Sequence, residues 1–141
     1  MQISFRYSHI RIDEFATLNG STDQRRLDFQ TSGEIQTGFS YEAKSILVTV
    51  HSNVELDDQL LMTIKVSSQF EIEPDCWERL KKDGFVVIPM DFLRHIGGLA
   101  VSSTRGIIFA KTEGTDLNSY ILPLIQMDQV ILSDMKIPIV E

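Results

Sequence analysis

Histidines and a single cysteine are the residues of this 141-residue chain best suited to bind a metal or to act as a nucleophile. His9, His51 and His95 are widely separated and fit none of the H-x-H, H-E-x-x-H or Cys/His spacings of zinc sites. Cys76 has no partner for an intrachain disulfide, and no adjacent basic residue activates its thiol. We therefore expect no metal site, and we expect Cys76 to be buried beside Trp77 rather than reactive.

The carboxylates are equally weak candidates for acid–base catalysis. Asp57 and Asp58 lie in a polar turn, where such pairs are generally solvated. Glu71, Glu73 and Asp75 precede or begin a short predicted helix, whose positive N-terminus favours acidic residues. Nucleophile-elbow, dinucleotide-binding and phosphate-loop motifs are missing from the sequence. The sequence thus predicts a protein that is not an enzyme, with no catalytic residues and no cofactor.

Composition and charge narrow the range of partners. The chain has a formal net charge of −7, with 43% hydrophobic and 23% charged residues. Negative charge opposes binding to nucleic acid and to anionic membranes, because both need clustered lysines and arginines. The length predicts a single domain over residues 1–141. The N-terminus does not look like a signal peptide and no apolar run is long enough to span a membrane, so we expect a cytoplasmic protein without membrane insertion.

Alternating apolar residues predict an antiparallel sheet. From Gln59 to Ile72, apolar side chains occupy nearly every even position, which is the period of a half-buried strand. Residues 45–54 also alternate, and the polar "ELDDQ" that follows predicts a hairpin. Odd-numbered apolar residues over 27–41 predict a third strand, broken near Gly33. Residues 3–12 switch phase, which predicts a fourth strand with a bulge, followed by a loop over residues 16–26.

The stretch "VVIPMDFLRHIGGLAVSSTRG", residues 86–106, predicts the main helix although glycines lie in its middle. Pro89 suits a first turn, and Asp91 favours a helix N-terminus. Gly97 and Gly98 each cost a helix about 1 kcal/mol relative to alanine. The alternative is that these glycines break the segment into a strand and a turn, with residues 106–110 forming a strand.

Close approach by another helix or sheet would explain these glycines. The helix would carry a line almost free of side-chain bulk at i, i+3, i+7 and i+11, here called the small-residue line: His95, Gly98, Ser102 and Gly106. The sheet face turned away from the helix also carries Leu47 and Leu61 among polar residues. A subunit that exposes apolar residues tends to associate, so we expect a homo-oligomer built through the helix and the sheet.

The fold class that these patterns predict is α+β. It consists of a four-stranded antiparallel sheet with one long helix and one or two short helices. One short helix begins near Pro74, where proline is tolerated in a first turn. The C-terminal part, with Pro123 and Pro138, is expected to hold at most one short helix and an extended tail.

Four segments, in this order, carry a family resemblance over about residues 26–124. They are "RRLDFQTSGEIQTGFSYEAKSILVTV", "LLMTIKVSSQFEI", "GFVVIP" and "SYILPLIQM". They are similar to the second and third strands, the fourth strand, the entry to the main helix and the step before the final helix of the SecB-type protein-export chaperones. The resemblance implies a SecB-like fold and an ATP-independent holdase that binds unfolded client polypeptides in apolar grooves for protein export.

The resemblance also implies site residues. The client-binding groove would be lined by Phe70, Ile72, Trp77, Leu80, Phe85, Ile121, Leu122, Leu124 and Ile125. Main helices would pack between the subunits of a dimer or tetramer through Phe92, His95, Gly98, Leu99, Ser102 and Gly106. No metal is implied.

Two departures from the family bear on partners. In the family, acids on the outer sheet face dock the translocase motor, but here Thr63 replaces one of them and Lys65 follows. An alternative is therefore a SecB-like chaperone that protects an antitoxin instead of an export precursor. Two further alternatives are a small-ligand module with an enclosed pocket and a structural interaction module with no free apolar surface.

Overall fold

The computed structural model describes residues 2–18 and 29–140, which contain a four-stranded antiparallel sheet in the order β1–β4–β3–β2. Its strands are β1 (Phe5–Thr17), β2 (Gln30–Ser40), β3 (Ser45–Leu56) and β4 (Gln59–Ile72). The predicted hairpin is confirmed, since β3 pairs with β4 along its length. Asp57 and Asp58 make its turn with φ angles of 51° and 62°, as a type I′ turn requires.

The edge strands agree with the sequence pattern in one case and differ in the other. β1 has the predicted irregularity, because its register against β4 shifts after Tyr7 and again after Ile12. β2 pairs with β3 along its whole length, so the break predicted near Gly33 is wrong. The predicted loop begins later than residue 16, because β1 continues to Thr17. Residues 19–26 of the predicted loop lie outside the described residues.

The helices confirm the α+β prediction. Helix α2 (Met90–Lys111) is the long helix, and α1 (Pro74–Arg79) and α3 (Met127–Val130) are short. Gly97 and Gly98 lie inside α2, and residues 106–110 are helical, so the strand-and-turn alternative is wrong. A second antiparallel sheet joins β5 (Lys81–Lys82), β6 (Phe85–Ile88) and β7 (Met135–Pro138). None of the helices in the described ranges is both long and apolar enough to cross a membrane.

The core lies between the four-stranded sheet and α2. Even-numbered side chains of β3 and β4 are buried there, as their alternation predicted, including Ile46, Val48, Val50, Ile64, Val66 and Phe70. Ser68 shares this face, and its hydroxyl lies 2.6 Å from the phenolic oxygen of Tyr7. Tyr7 also donates to Ser103 Oγ of α2 at 2.8 Å. Tyr7 therefore links β1, β4 and the helix, and it satisfies a hydroxyl that would otherwise be costly to bury.

The outer face of the sheet, turned away from α2, is polar. The Thr49 and Ser67 hydroxyl oxygens lie 3.0 Å apart, and Ser67 donates to the carboxylate of Asp13. Leu61 is buried and Leu47 is half-buried, so the apolar patch expected around these two leucines is small. This face offers hydrogen-bonding groups to a partner more than apolar area.

The contact between Ser67 and Asp13 predicts a pH dependence. The pKa of the Asp13 carboxyl lies below its ordinary value, chiefly because Ser67 donates a hydrogen bond to the carboxylate. Desolvation by burial raises this pKa by a smaller amount, and the neighbouring Arg11 lowers it further. The unfolded carboxyl has the higher pKa, so this contact stabilises the fold above that ordinary pKa. The stabilisation is lost as pH falls through the folded pKa. We expect Ser67→Ala to raise the Asp13 pKa, measured by NMR titration.

Thr49→Ala is the control for this titration, because it removes a neighbouring hydroxyl but leaves the Ser67 donor in place. We expect it to change the pKa of Asp13 much less than Ser67→Ala does. An Asp13 pKa that is the same in Ser67→Ala as in the wild type would contradict the assigned cause.

Cys76 is buried, as expected, but it has a basic neighbour. Arg79, one turn later in α1, donates from Nη2 to Cys76 Sγ at 3.1 Å. The expectation that no basic residue lies beside this thiol is therefore wrong, because residues three apart share one side of a helix.

Candidate functional site

A cleft of about 570 Å³ opens between one end of the β2–β3 pair and the segment Leu122–Val130, here called the wall segment. Ile35 and Val50 contribute apolar side chains to the floor of this cleft. Residues 31–35 of β2 border it, and in the described part of the chain β2 pairs with β3 alone. The cleft therefore runs beside a sheet edge whose outward N–H and C=O groups have no strand partner within residues 2–18 and 29–140.

Two arginines of α2 hold the wall segment by its backbone. Arg105 Nε donates to the carbonyl oxygen of Leu122 at 2.9 Å, and its Nη2 donates to that of Pro123 at 3.3 Å. Arg94 Nε donates to the carbonyl oxygen of Ile131 at 3.0 Å, just beyond the wall segment. Hydrogen bonds from a charged donor are stronger than neutral ones, so α2 fixes the wall segment near both of its ends.

Gly97 lets α3 approach α2 closely. A Cβ atom at this position would lie 2.9 Å from Met127 Sδ and 3.3 Å from Ile131 Cδ1. A Cβ atom at Gly98 or Gly106 would have no atom within 4 Å. The close approach inferred from the glycine pair thus occurs within the subunit at Gly97, while the side of α2 that carries Gly98 is open.

The floor of the cleft contains a hydroxyl group without a partner. Ser52 lines the cleft and is 2% exposed, and its Oγ makes no hydrogen bond within the described residues. Its register partner on β2 is Gly33, where a Cβ atom would collide with the carbonyl oxygen of His51. Only glycine fits there, so the β2 position opposite Ser52 carries no side chain. A buried hydroxyl left unsatisfied costs about 1–3 kcal/mol.

The rim of the cleft combines a fixed end with an exposed apolar wall. Tyr120, two residues before the wall segment, is tied to β2 because its phenolic oxygen lies 2.7 Å from Oγ1 of Thr31, which lines the cleft. Leu124 of the wall segment is 89% exposed, and Val130 is also exposed. Leu132 is 72% exposed but lies outside the cleft. Apolar area is therefore available to a ligand along the wall segment.

The predicted groove residues fall into two groups. Leu122, Leu124 and Ile125 line the cleft, and the exposed Ile121 directly precedes them. The others lie away from the cleft: Phe70, Ile72, Trp77 and Leu80 are buried in the core, and Phe85 is half-buried. A client would reach this second group only if part of the core opened, so its role in client binding stays a prediction.

The predicted interface residues also divide. Phe92 is buried, with its ring centroid 5.3 Å from that of Phe5, and Leu99 is half-buried. The small-residue line is accessible instead, since His95, Ser102 and Gly106 are exposed and Gly98 is half-buried beside open space. The interface itself stays a prediction.

Sequence reasoning did not identify Ser52, Gly33, Arg94 or Arg105 as parts of a site. Ser52 had a usable signal, because it is a polar residue among even-numbered apolar residues of β3. The two arginines had none, since their acceptors are carbonyl groups, which every residue has, 17 to 37 positions away.

The cleft offers polar groups that can form hydrogen bonds with a ligand. Its polar side chains include the Ser52 hydroxyl and the Gln126 and Gln129 amides. Within the described ranges, no group of three or more His, Cys, Asp or Glu side chains could hold a metal ion. What the cleft offers is apolar surface, a strand edge and one buried hydroxyl.

Comparison with known proteins shows a similarity of fold. No protein-family model matches the chain, and no curated protein sequence matches it. A solved structure of the Mycobacterium tuberculosis SecB-like chaperone Rv1957, in complex with a ChAD peptide from the HigA1 antitoxin, matches with a TM-score of 0.61. The match has 11% sequence identity and covers 86% of this chain and 90% of that chain. The chain therefore has a SecB-like fold.

Proposed function

We propose that this protein is an ATP-independent chaperone that holds unfolded polypeptides in the cleft between β2 and the wall segment. The observation that carries the proposal is a sheet edge that has no strand partner among the described residues, beside an exposed apolar wall. An extended peptide placed there can pair with the strand edge, while its apolar side chains cover Leu124 and Val130. The SecB-like fold supports this function.

The physical basis of such binding tolerates many client sequences. Apolar burial contributes about 25 cal/mol per Å² whatever the order of the side chains that supply it. Pairing with a strand edge uses the backbone, which every client has. The net charge of −7 favours clients with basic residues.

The openness of the cleft favours a polypeptide over the two other classes of function. A small-ligand pocket buries most of the surface of its ligand, whereas Leu124 on the wall segment is almost fully exposed. A purely structural interaction module would leave no free apolar surface. Here Leu124 of the wall segment is exposed, and so is Ile121, which directly precedes that segment.

An antitoxin is the client class that we favour over an export precursor. The SecB-like neighbour binds an antitoxin peptide, which supports this choice. On the outer sheet face, Thr63 donates to Asn53 at 2.7 Å, and Arg6 pairs with Glu71 at 2.6 Å. Because Glu71 is paired with a positive charge and Thr63 and Asn53 are neutral, this face gives little support to the docking of a translocase motor.

We also propose that the protein is a homo-oligomer, a dimer or a tetramer, in which helices α2 of different subunits meet at the small-residue line. Support comes from the exposure of this line and from the open space beside Gly98 and Gly106. Small side chains on both helices allow their backbones to approach closely, which increases the contact between them.

Leu124→Ser tests the proposed site. Burying a leucine completely contributes about 1.5–3 kcal/mol, and 1.4 kcal/mol corresponds to a tenfold change in affinity. We therefore expect the variant to bind a thermally unfolding protein, such as citrate synthase, about tenfold more weakly. The measurement is light scattering by citrate synthase aggregates over a range of chaperone concentrations.

Leu132→Ser is the matched control, because Leu132 is also exposed but lies outside the cleft. It should suppress aggregation as well as the wild type does. A wild-type protein that never reduces aggregation at equimolar amounts would refute the holdase proposal. Equal losses in the two variants would refute the assignment of this cleft.

A further inference from the structure

We infer that the client-binding surface continues from the cleft along β2 to Phe39, and that this strand selects extended segments with two apolar residues four positions apart and a basic residue next to one of them. The inference rests on the proposed function and deepens it by naming the client segments that bind. Three side chains of β2 carry it: Ile35 and Phe39 on one face of the sheet, and Glu34 on the other.

β2 is the edge strand of the four-stranded sheet that best suits the addition of a further strand. It pairs with β3 in unbroken register from Gln30 to Ser40, and in the described part of the chain its other edge has no strand partner. β1, at the opposite edge of the sheet, shifts register twice against β4. Because such irregularities hinder strand addition, an extended client is expected to pair with β2 rather than with β1.

Two apolar side chains of β2 set the spacing that a client must match. Ile35 and Phe39 lie opposite the buried Val50 and Ile46 of β3, so both are on the face of the sheet that packs against α2. Ile35 lines the cleft, whereas Phe39 lies beyond the cleft and is 49% exposed. Four residues of a strand span about 13 Å. Since opposite residues of paired strands share a face, a client covers both side chains with apolar residues at i and i+4.

Glu34 adds a preference for charge on the outer face of the sheet. Its carboxylate is exposed and accepts a hydrogen bond from the Gln36 amide at 3.2 Å, and within the described residues no lysine or arginine pairs with it. His51, opposite Glu34 on β3, has its Nε2 atom 3.3 Å from Thr63 Oγ1. The client residue opposite Glu34 is next to the one opposite Ile35, and lysine or arginine is favoured there.

Two fluorescein-labelled peptides of equal composition test the spacing. The peptide KFTTTFK has phenylalanines at i and i+4 with a lysine outside each, so one lysine lies opposite Glu34 whichever way the peptide runs. KFTTFTK has its second phenylalanine at i+3, which is on the opposite face of an extended chain. We expect the wild type to bind KFTTTFK about fivefold more tightly than KFTTFTK, as measured by fluorescence anisotropy.

Phe39→Ala tests the aromatic contact. We expect this variant to bind KFTTTFK about fivefold more weakly and to lose most of the preference for KFTTTFK over KFTTFTK. Ile10→Ala is the matched control, because Ile10 is 46% exposed on the other edge strand, β1, and should keep the wild-type affinities. The inference would be overturned if a folded Phe39→Ala variant kept the wild-type preference, or if both variants lost affinity equally.

Glu34→Lys tests the charge preference. The variant should bind KFTTTFK about threefold more weakly than the wild type and bind EFTTTFE about threefold more tightly. Glu14→Lys is the control, because it changes the net charge by the same amount on β1, where Glu14 lies opposite Lys65. It should change both affinities much less. Equal effects of the two lysine variants would mean that only the net charge matters and would overturn the role of Glu34.

A failure of this inference differs from a failure of the proposed function. A wild type that suppresses the aggregation of citrate synthase but binds the two phenylalanine spacings equally, or binds neither peptide, overturns the inference alone. A wild type that neither suppresses aggregation nor binds either peptide refutes the proposed function itself.

Discussion

Replacing Phe70 with alanine is expected to lower the free energy of unfolding by about 3–5 kcal/mol, the usual cost of removing a phenylalanine from a core. Phe70 is 0% exposed. Its ring centroid lies 4.4 Å from that of Tyr7 and 6.1 Å from that of Phe5, so truncation leaves a cavity beneath β1. Urea denaturation at one fixed protein concentration measures the change.

Phe39→Ala is the control, because Phe39 lies on the same face of the sheet but is 49% exposed on edge strand β2. We expect it to lower the free energy of unfolding by about 1 kcal/mol or less. Phe70 is also a predicted groove residue. If Phe70→Ala kept wild-type stability but lost client binding, its placement in the core would be wrong and the groove prediction would gain support.

Replacing Gly97 with leucine is expected to cost about 2 kcal/mol more than the same replacement at Gly98. Leucine improves helix propensity by a similar amount at both positions, so the comparison cancels that gain. At Gly97 the new side chain must displace Met127 and Ile131, and overpacking of this kind costs about 1–3 kcal/mol. Displacing α3 also moves the wall segment, so Gly97→Leu should weaken client binding.

Gly98→Leu should act on assembly instead. The leucine side chain would enter open space within the subunit but would obstruct a second helix at the small-residue line. We expect a folded variant with a lower molar mass by light scattering at tens of micromolar. An unchanged molar mass would contradict the proposed interface, and equal unfolding free energies for the two leucine variants would contradict the packing of α3 against Gly97.

The sheet could be predicted from the sequence because its pattern is local. A strand with one buried face repeats every two residues, so β3, β4 and the turn at Asp57 and Asp58 follow from neighbouring residues. Phase changes gave the irregularity of β1 for the same reason. Gly33 was misread as a break, because its close approach to the His51 carbonyl depends on a strand twelve or more residues away.

The cleft could not be predicted to the same extent, because it depends on contacts between distant segments. Three residues that the resemblance assigned to the groove, Leu122, Leu124 and Ile125, line the cleft, and their role in client binding stays a prediction. The lack of a partner for the Ser52 hydroxyl within the described residues becomes visible only in three dimensions. The glycine pair predicted that something approaches α2 closely. The glycine pair did not show which of the two glycines is approached, because that depends on where α3 packs against α2.

The attachment of the wall segment has a consequence for how client preference can change over evolution. Arg94 and Arg105 hold it through carbonyl oxygens, which are present whatever amino acid occupies a position. Exchanging Leu124 or Val130 for another residue therefore alters the surface that contacts a client, while the hydrogen bonds that attach the wall segment to α2 remain. The side chains of the wall segment can therefore diverge among related proteins, each adapted to a different client, while helix α2 stays the same.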